Sequence, residues 1–169
     1  MNVPDDFRLL PGTAAAIRRL NVAGIPVIVV TNQGGIALGY LTEDDLAAIH
    51  ERMAELLAAE GAHVDKVYSC PCYPGGTIPR YAKESPDRKP GTGMLERARD
   101  ELGIDLPKSF LVGDATTDIL AGLRAGCTTI LVQTGFGGSD AKVVAEPDHT
   151  ARDLAEAVEL ILNQLRRAP

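Results

Sequence analysis

Short β-branched apolar runs alternate along this chain with stretches of helical periodicity, and that alternation limits the fold more than any other feature. Residues 25–31 (IPVIVVT) are almost wholly apolar, as suits a strand covered on both faces. Residues 64–69, 109–112 and 128–132 are shorter strand candidates. Pro11-Gly12 opens a helix carrying Ala15, Ile17 and Leu20 that stops at Gly24, a left-handed terminator. Thr42 reads as an N-cap with Asp45 three residues on, and Leu46, Ile49, Met53, Leu56 and Leu57 then share one helical face before Gly61. Residues 94–102 and 118–125 read as helices. Thr150 caps a last helix carrying Leu154, Val158, Ile161 and Leu165. Strand–helix alternation predicts an α/β fold, a three-layer sandwich with a parallel sheet, helices on both faces and right-handed crossovers.

The 169 residues suffice for one domain with a real core, and neither repeats nor a linker divide them. A net charge of -6 and the lack of Trp argue against a nucleic-acid partner. No apolar run is long enough for a membrane span and the first residues are polar, so no membrane partner and a cytoplasmic location are expected. Three cysteines, two of them in Cys70-Pro71-Cys72, do not make a secreted disulfide framework.

Ligands of open parallel sheets bind at the carboxyl ends of the strands. The groups that follow the apolar runs are Thr31-Asn32-Gln33-Gly34-Gly35, Cys70-Pro71-Cys72, Gly113-Asp114 and Gln133-Thr134-Gly135. A strand-end hydroxyl followed by Gly-rich backbone can hold phosphoryl oxygens, although the same residues also make a plain turn. Arg88-Lys89-Pro90 offers two cations to a phosphate, or is a solvated basic pair. In Gly113-Asp114-Ala115-Thr116-Thr117-Asp118, Asp114 with Asp118 suits Mg²⁺, or the two carboxylates cap the helix that starts there. The segment of about twenty residues after Cys70 is too long to be mere connection.

In that order and on those elements, TNQGG, RKP and GDATTD resemble the second, third and fourth motifs of the haloacid dehalogenase superfamily. Thr-Asn-Gln with Gly-Ile-Ala, the Cys-Pro-Cys-Tyr-Pro segment and Arg-Lys-Pro resemble its group acting on D-glycero-D-manno-heptose 1,7-bisphosphate and histidinol phosphate. The resemblance runs from about Phe7 to the final helix. It implies that Thr31 hydrogen-bonds the transferring phosphoryl group and that Lys89 balances its charge. Asn32, Gln33 and Gly34 would line the substrate pocket and Arg88 would contact substrate. Asp114 would help to hold Mg²⁺, with Asp118 behind it. The implied activity is a Mg²⁺-dependent phosphomonoesterase of small sugar phosphates, working as a monomer or weak oligomer. Histidinol-phosphate phosphatase and a non-catalytic sugar-phosphate-binding module are the alternatives, and a receiver-like domain lacks its acidic pair.

The chain departs from that pattern in three places. The family's first motif, an apolar strand ending in an Asp-x-Asp-Gly nucleophile, has no counterpart ahead of Phe7. Asp5 and Asp6 read as loop carboxylates, the chain as truncated at its amino terminus, and the first, central strand as missing. Zinc-binding members carry Cys-x-His and then Cys-x-Cys before Arg-Lys-Pro. Here Cys70 and Cys72 are followed by Ser85-Pro86-Asp87, so Cys70, Cys72 and Asp87 form at most a weak or lost zinc site. Ala115 stands where heptose phosphatases carry a substrate-contacting Lys.

Overall fold

The computed structural model describes residues 6–167. They divide into two compact units, residues 6–88 and 89–167. All the ladders are parallel, as the alternation predicts.

In the first unit, α1 (Thr13–Val22) leads to β1 (Ile28–Asn32), a short α2 (Gly34–Ala37), α3 (Glu43–Ala59) and β2 (Lys66–Cys70). β1 begins later than its apolar run. Pro26 has no N–H to donate, and the Val27 amide instead donates to the Asp65 carboxylate at 2.7 Å. Thr42 caps α3 as expected, its hydroxyl accepting from the Asp45 amide at 3.0 Å while the Asp45 carboxylate accepts from the Thr42 amide at 2.8 Å. Leu46, Ile49 and Leu57 of α3 are buried. In α1 the buried face is Ala14, Ala16, Ile17 and Leu20, whereas Ala15 points to solvent because a residue beside the stripe turns about 100° away from it. β1 pairs with β2, matching Ile28 with Lys66 and Asn32 with Cys70. All five β1 residues are half-buried, not enclosed as the apolar run suggests; an apolar run measures the capacity to be covered, and tertiary packing sets the coverage. α2 was not foreseen, because two consecutive glycines argue against a helix.

In the second unit, α4 (Gly93–Leu102) ends at Gly103, whose φ of 67° makes the left-handed cap. A 3₁₀ turn at Leu106–Lys108 precedes β3 (Phe110–Gly113), α5 (Thr116–Ala125), β4 (Thr128–Val132), β5 (His149–Ala151) and α6 (Leu154–Arg167). The strand order is β3-β4-β5, and α5 packs on β3 and β4. Thr150 lies in β5, paired with Leu131, and does not cap the last helix; Asp153 does so, accepting the Glu156 amide at 2.9 Å. Three residues are too few for a periodic signal, so only the ladder to β4 defines β5. Along α6, Ala157, Val158 and Ile161 are buried, but Leu165 is exposed. Asp5 lies outside the described residues, and Asp6 is exposed. Among the described residues no helix is long and apolar enough to cross a membrane.

Candidate functional site

Parallel pairing sends every strand of a sheet out at the same end, so residues distant in sequence meet there. In the first unit the register Asn32 to Cys70 brings Thr31-Asn32-Gln33 to the Cys70-Pro71-Cys72 turn. The Gln33 amide nitrogen donates to the Cys70 carbonyl at 2.7 Å, which locks the two turns together. The Gln33 side-chain amide donates to the Thr31 hydroxyl at 3.0 Å. With its oxygen occupied as an acceptor, Thr31 has its own proton to donate elsewhere. Asn32 is half-buried at the strand end.

The segment after Cys70 has no helix or strand before Gly93, yet its backbone is well satisfied. Tyr73 donates to Tyr81 at 3.0 Å, and Thr77 and Ile78 both donate to Ala37 at 2.8 and 2.9 Å. Within it Arg88 donates from Nη1 to the Cys72 carbonyl at 2.9 Å. The Arg88 guanidinium lies 4.9 Å from the Tyr73 ring centroid. A Cβ on Gly34 would come within 3.2 Å of Arg88 Nη1. Gly34 and Arg88, 54 positions apart (88 − 34), are therefore neighbours, and the guanidinium is held in place instead of waving in solvent.

In the second unit the Lys89 ammonium sits 2.8 Å from the Asp118 carboxylate, each side chain 11% exposed. The other Asp118 oxygen accepts the Ala115 amide at 3.1 Å. Asp118 thus satisfies the first turn of α5, the capping role weighed for it, and also holds the lysine, a partner that the sequence did not indicate. Gly113 is required here, because any Cβ would collide with the Asp118 side chain. Asp114 does not cap α5. Its Oδ2 accepts the Phe136 amide at 2.8 Å, and its carbonyl accepts the Gly138 amide at 2.8 Å. The N–H of Thr116 goes instead to Asp140 Oδ1 at 2.7 Å. Ala115 is 8% exposed and engages through its backbone.

The metal readings separate on donor chemistry. Asp114 offers a hard carboxylate oxygen beyond the one held by Phe136, which suits one ligand position of Mg²⁺, an ion that retains several waters. Cys70 and Cys72 are buried. Burial pushes the Cys70 thiol up, against the hydrogen bonds from the Cys72 amide and the Ser85 hydroxyl. Ser85 also accepts the Asp87 amide at 3.2 Å, so a hydrogen-bonded turn occupies the place of a second thiolate pair. Among the described residues no group of three or more His, Cys, Asp or Glu side chains is arranged to hold a metal. That donor set does not fit tetrahedral zinc.

The structure thus groups Thr31, Gln33, Gly34, Cys70, Cys72 and Arg88 in the first unit, and Lys89, Asp114, Ala115 and Asp118 in the second. Sequence reasoning missed Tyr73, the Phe136 amide and Asp140. A backbone amide leaves no trace in residue type, and Asp140 lies in an aperiodic stretch. Tyr73, beside Cys-Pro-Cys, was legible as an aromatic next to a candidate site.

Known proteins resemble this chain along most of its length. Residues 87–157 match the hydrolase-like family described as HAD-hydrolase-like. The D-glycero-D-manno-heptose-1,7-bisphosphate 7-phosphatase of Thermosynechococcus vestitus is 45% identical over 169 residues, covering 95% of this chain and 86% of that protein. The D-glycero-beta-D-manno-heptose-1,7-bisphosphate 7-phosphatase of Mesorhizobium japonicum is 41% identical over 93% of this chain and 70% of its own length. The crystal structure of D,D-heptose 1,7-bisphosphate phosphatase from B. bronchiseptica, complexed with magnesium and phosphate, superimposes with a TM-score of 0.86 at 34% identity. It covers 96% of this chain and 88% of that one.

Proposed function

Since the chain belongs to the HAD-like phosphatases, in the group of D-glycero-D-manno-heptose-1,7-bisphosphate 7-phosphatases, we propose that it is a Mg²⁺-dependent phosphomonoesterase of a heptose bisphosphate or similar small sugar phosphate. The observation that carries the reading is the state of its cations. Arg88 is held against Gly34 of the TNQGG motif, and Lys89 is held on Asp118 of the GDATTD motif. Side chains fixed in this way suit the electrostatic stabilisation that phosphoryl transfer demands.

Each unit contributes its own groups. In the first, Thr31 donates its hydroxyl proton to a phosphoryl oxygen, an orientation supported by the Gln33 amide on its oxygen. The planar Arg88 fork pairs with phosphate oxygens of the substrate. In the second, Lys89 offsets phosphoryl charge while Asp118 keeps it extended. Asp114 would hold Mg²⁺, which supplies Lewis-acid charge to the phosphoryl oxygens. No Asp-x-Asp-Gly occurs in the 169 residues. Phosphate binding therefore belongs to these residues, and turnover to a form that also carries an aspartate nucleophile. By the same reading the protein works in the cytoplasm as a monomer or weak oligomer, with no nucleic-acid or membrane partner.

The test compares this chain with a version preceded by a strand ending in Asp-x-Asp-Gly. Calorimetry should detect phosphate binding with Mg²⁺ in both, and phosphate release from heptose 1,7-bisphosphate should occur only in the extended form. An extended protein inactive on heptose bisphosphate and on a panel of phosphate esters would overturn the reading. Release of histidinol phosphate's phosphate in preference would move the assignment to that substrate.

A further inference from the structure

Resting on the reading that Arg88 contacts phosphate, we infer that Tyr73 is the positioning residue that presents the Arg88 guanidinium to the substrate. Three surfaces confine that guanidinium. The Cys72 carbonyl takes Nη1 at 2.9 Å, the Tyr73 ring lies against the carbon with its centroid 4.9 Å away, and the bare Cα of Gly34 allows the close approach. A cation over a tyrosine face is attracted by the ring quadrupole, and stacking restricts the rotamers that a long side chain otherwise samples.

The ring is itself fixed. The Tyr73 amide donates to Tyr81 at 3.0 Å and its carbonyl accepts from Gly76 at 2.9 Å. Gly75 packs beneath the ring so closely that a Cβ there would lie 2.8 Å from Cε1. A Cβ at Gly76 would lie 2.7 Å from the Ala37 carbonyl oxygen. The two glycines thus shape a tight turn that aims one aromatic face at one arginine. Tyr73 is 37% exposed, so the stacked pair lies partly open to solvent. The donor set in this segment does not fit zinc, so the order around Arg88 comes from hydrogen bonds and this stacked pair.

The experiment uses the 169-residue chain, inorganic phosphate with Mg²⁺ as probe, and titration calorimetry. Tyr73→Leu should weaken phosphate binding roughly two- to five-fold, the worth of a partly exposed cation–aromatic contact. Tyr73→Phe, which keeps the ring, should match the parent. Gly75→Ala, which pushes the ring aside, should behave like Tyr73→Leu. In ¹H–¹⁵N spectra the Arg88 Nε–H should move when the ring is lost and stay in Tyr73→Phe, a readout that general stability does not shift. Circular dichroism melts confirm that each variant folds. If Arg88→Ala leaves phosphate binding unchanged, the functional reading of Arg88 fails. If Arg88→Ala weakens binding while Tyr73→Leu changes neither binding nor the Arg88 resonance, the positioning role alone is refuted.

Discussion

Replacing Asp118 by Ala removes the carboxylate that holds Lys89 at 2.8 Å and accepts the Ala115 amide at 3.1 Å. Both side chains of the ion pair are only 11% exposed, so the median value of a surface pair, about 0–1 kcal/mol, does not apply. Breaking a buried pair from one side costs about 3–5 kcal/mol, because the remaining charge stays in a poorly solvated place. The Ala115 amide loses its acceptor at the same time, which by itself costs about 1–3 kcal/mol. The two losses share one site and do not add fully. About 4 kcal/mol is therefore expected, a large fraction of the roughly 5–15 kcal/mol that stabilises a domain. With a urea m-value of about 2 kcal/mol/M, the midpoint followed by circular dichroism should fall by roughly 2 M. Asp118→Asn, which keeps an acceptor for Ala115, should lose less. Adding Lys89→Met to Asp118→Ala should restore a good part of the stability, since no buried charge is then stranded. A midpoint shift below about 0.5 M for Asp118→Ala would refute the reasoning, because the pair would then behave as a solvated one.

Two further outcomes follow from local geometry. The Thr129 amide and hydroxyl, both at 2.8 Å, hold the Asp148 carboxyl below the usual carboxylate range. A lowered folded-state pKa gives stability that is complete above the unfolded value near 3.9 and is lost as pH falls through the folded value. The parent should therefore lose stability more steeply than Asp148→Asn below about pH 4, and equal slopes in acid-unfolding curves would contradict the assignment. Gly135 has φ +68° and its missing Cβ leaves room for the Asp114 carboxylate. Gly135→Ala should combine about 1–2 kcal/mol of left-handed strain with displacement of Asp114 and weaken Mg²⁺ binding in calorimetric titration; unaltered Mg²⁺ affinity would count against Asp114 as the ligand.

The positioning of Tyr73 changes how Arg-Lys-Pro is understood. As a sequence it is two cations before a proline, and a solvated pair explains it equally well. In the structure the two cations have different partners of different kinds, an aromatic face with a carbonyl for Arg88 and a carboxylate for Lys89. One is oriented by stacking and the other by charge. The same division holds in the GDATTD motif, where Asp118 faces a lysine and Asp114 faces a loop amide, although residue type alone assigns both to one task.

Much of the fold was legible because its signals are local. The apolar runs at β3 and β4, the Thr42–Asp45 capping box and the glycine stops at Gly24 and Gly103 each depend on residues within one turn or one strand. TNQGG and GDATTD at strand ends, with RKP in the loop between them, pointed to the candidate site and its chemistry for the same reason. Tertiary structure alone decided what depends on distant partners: β5 exists through its ladder to β4, Asp153 displaces Thr150 as the cap of α6, and β1 is half-buried in spite of its composition. It also decided which group each charged residue meets. A side chain's type sets what it can bond, but its partner is chosen by the packing that brings Gly34 to Arg88 and the Phe136 amide to Asp114, and no local rule carries that information.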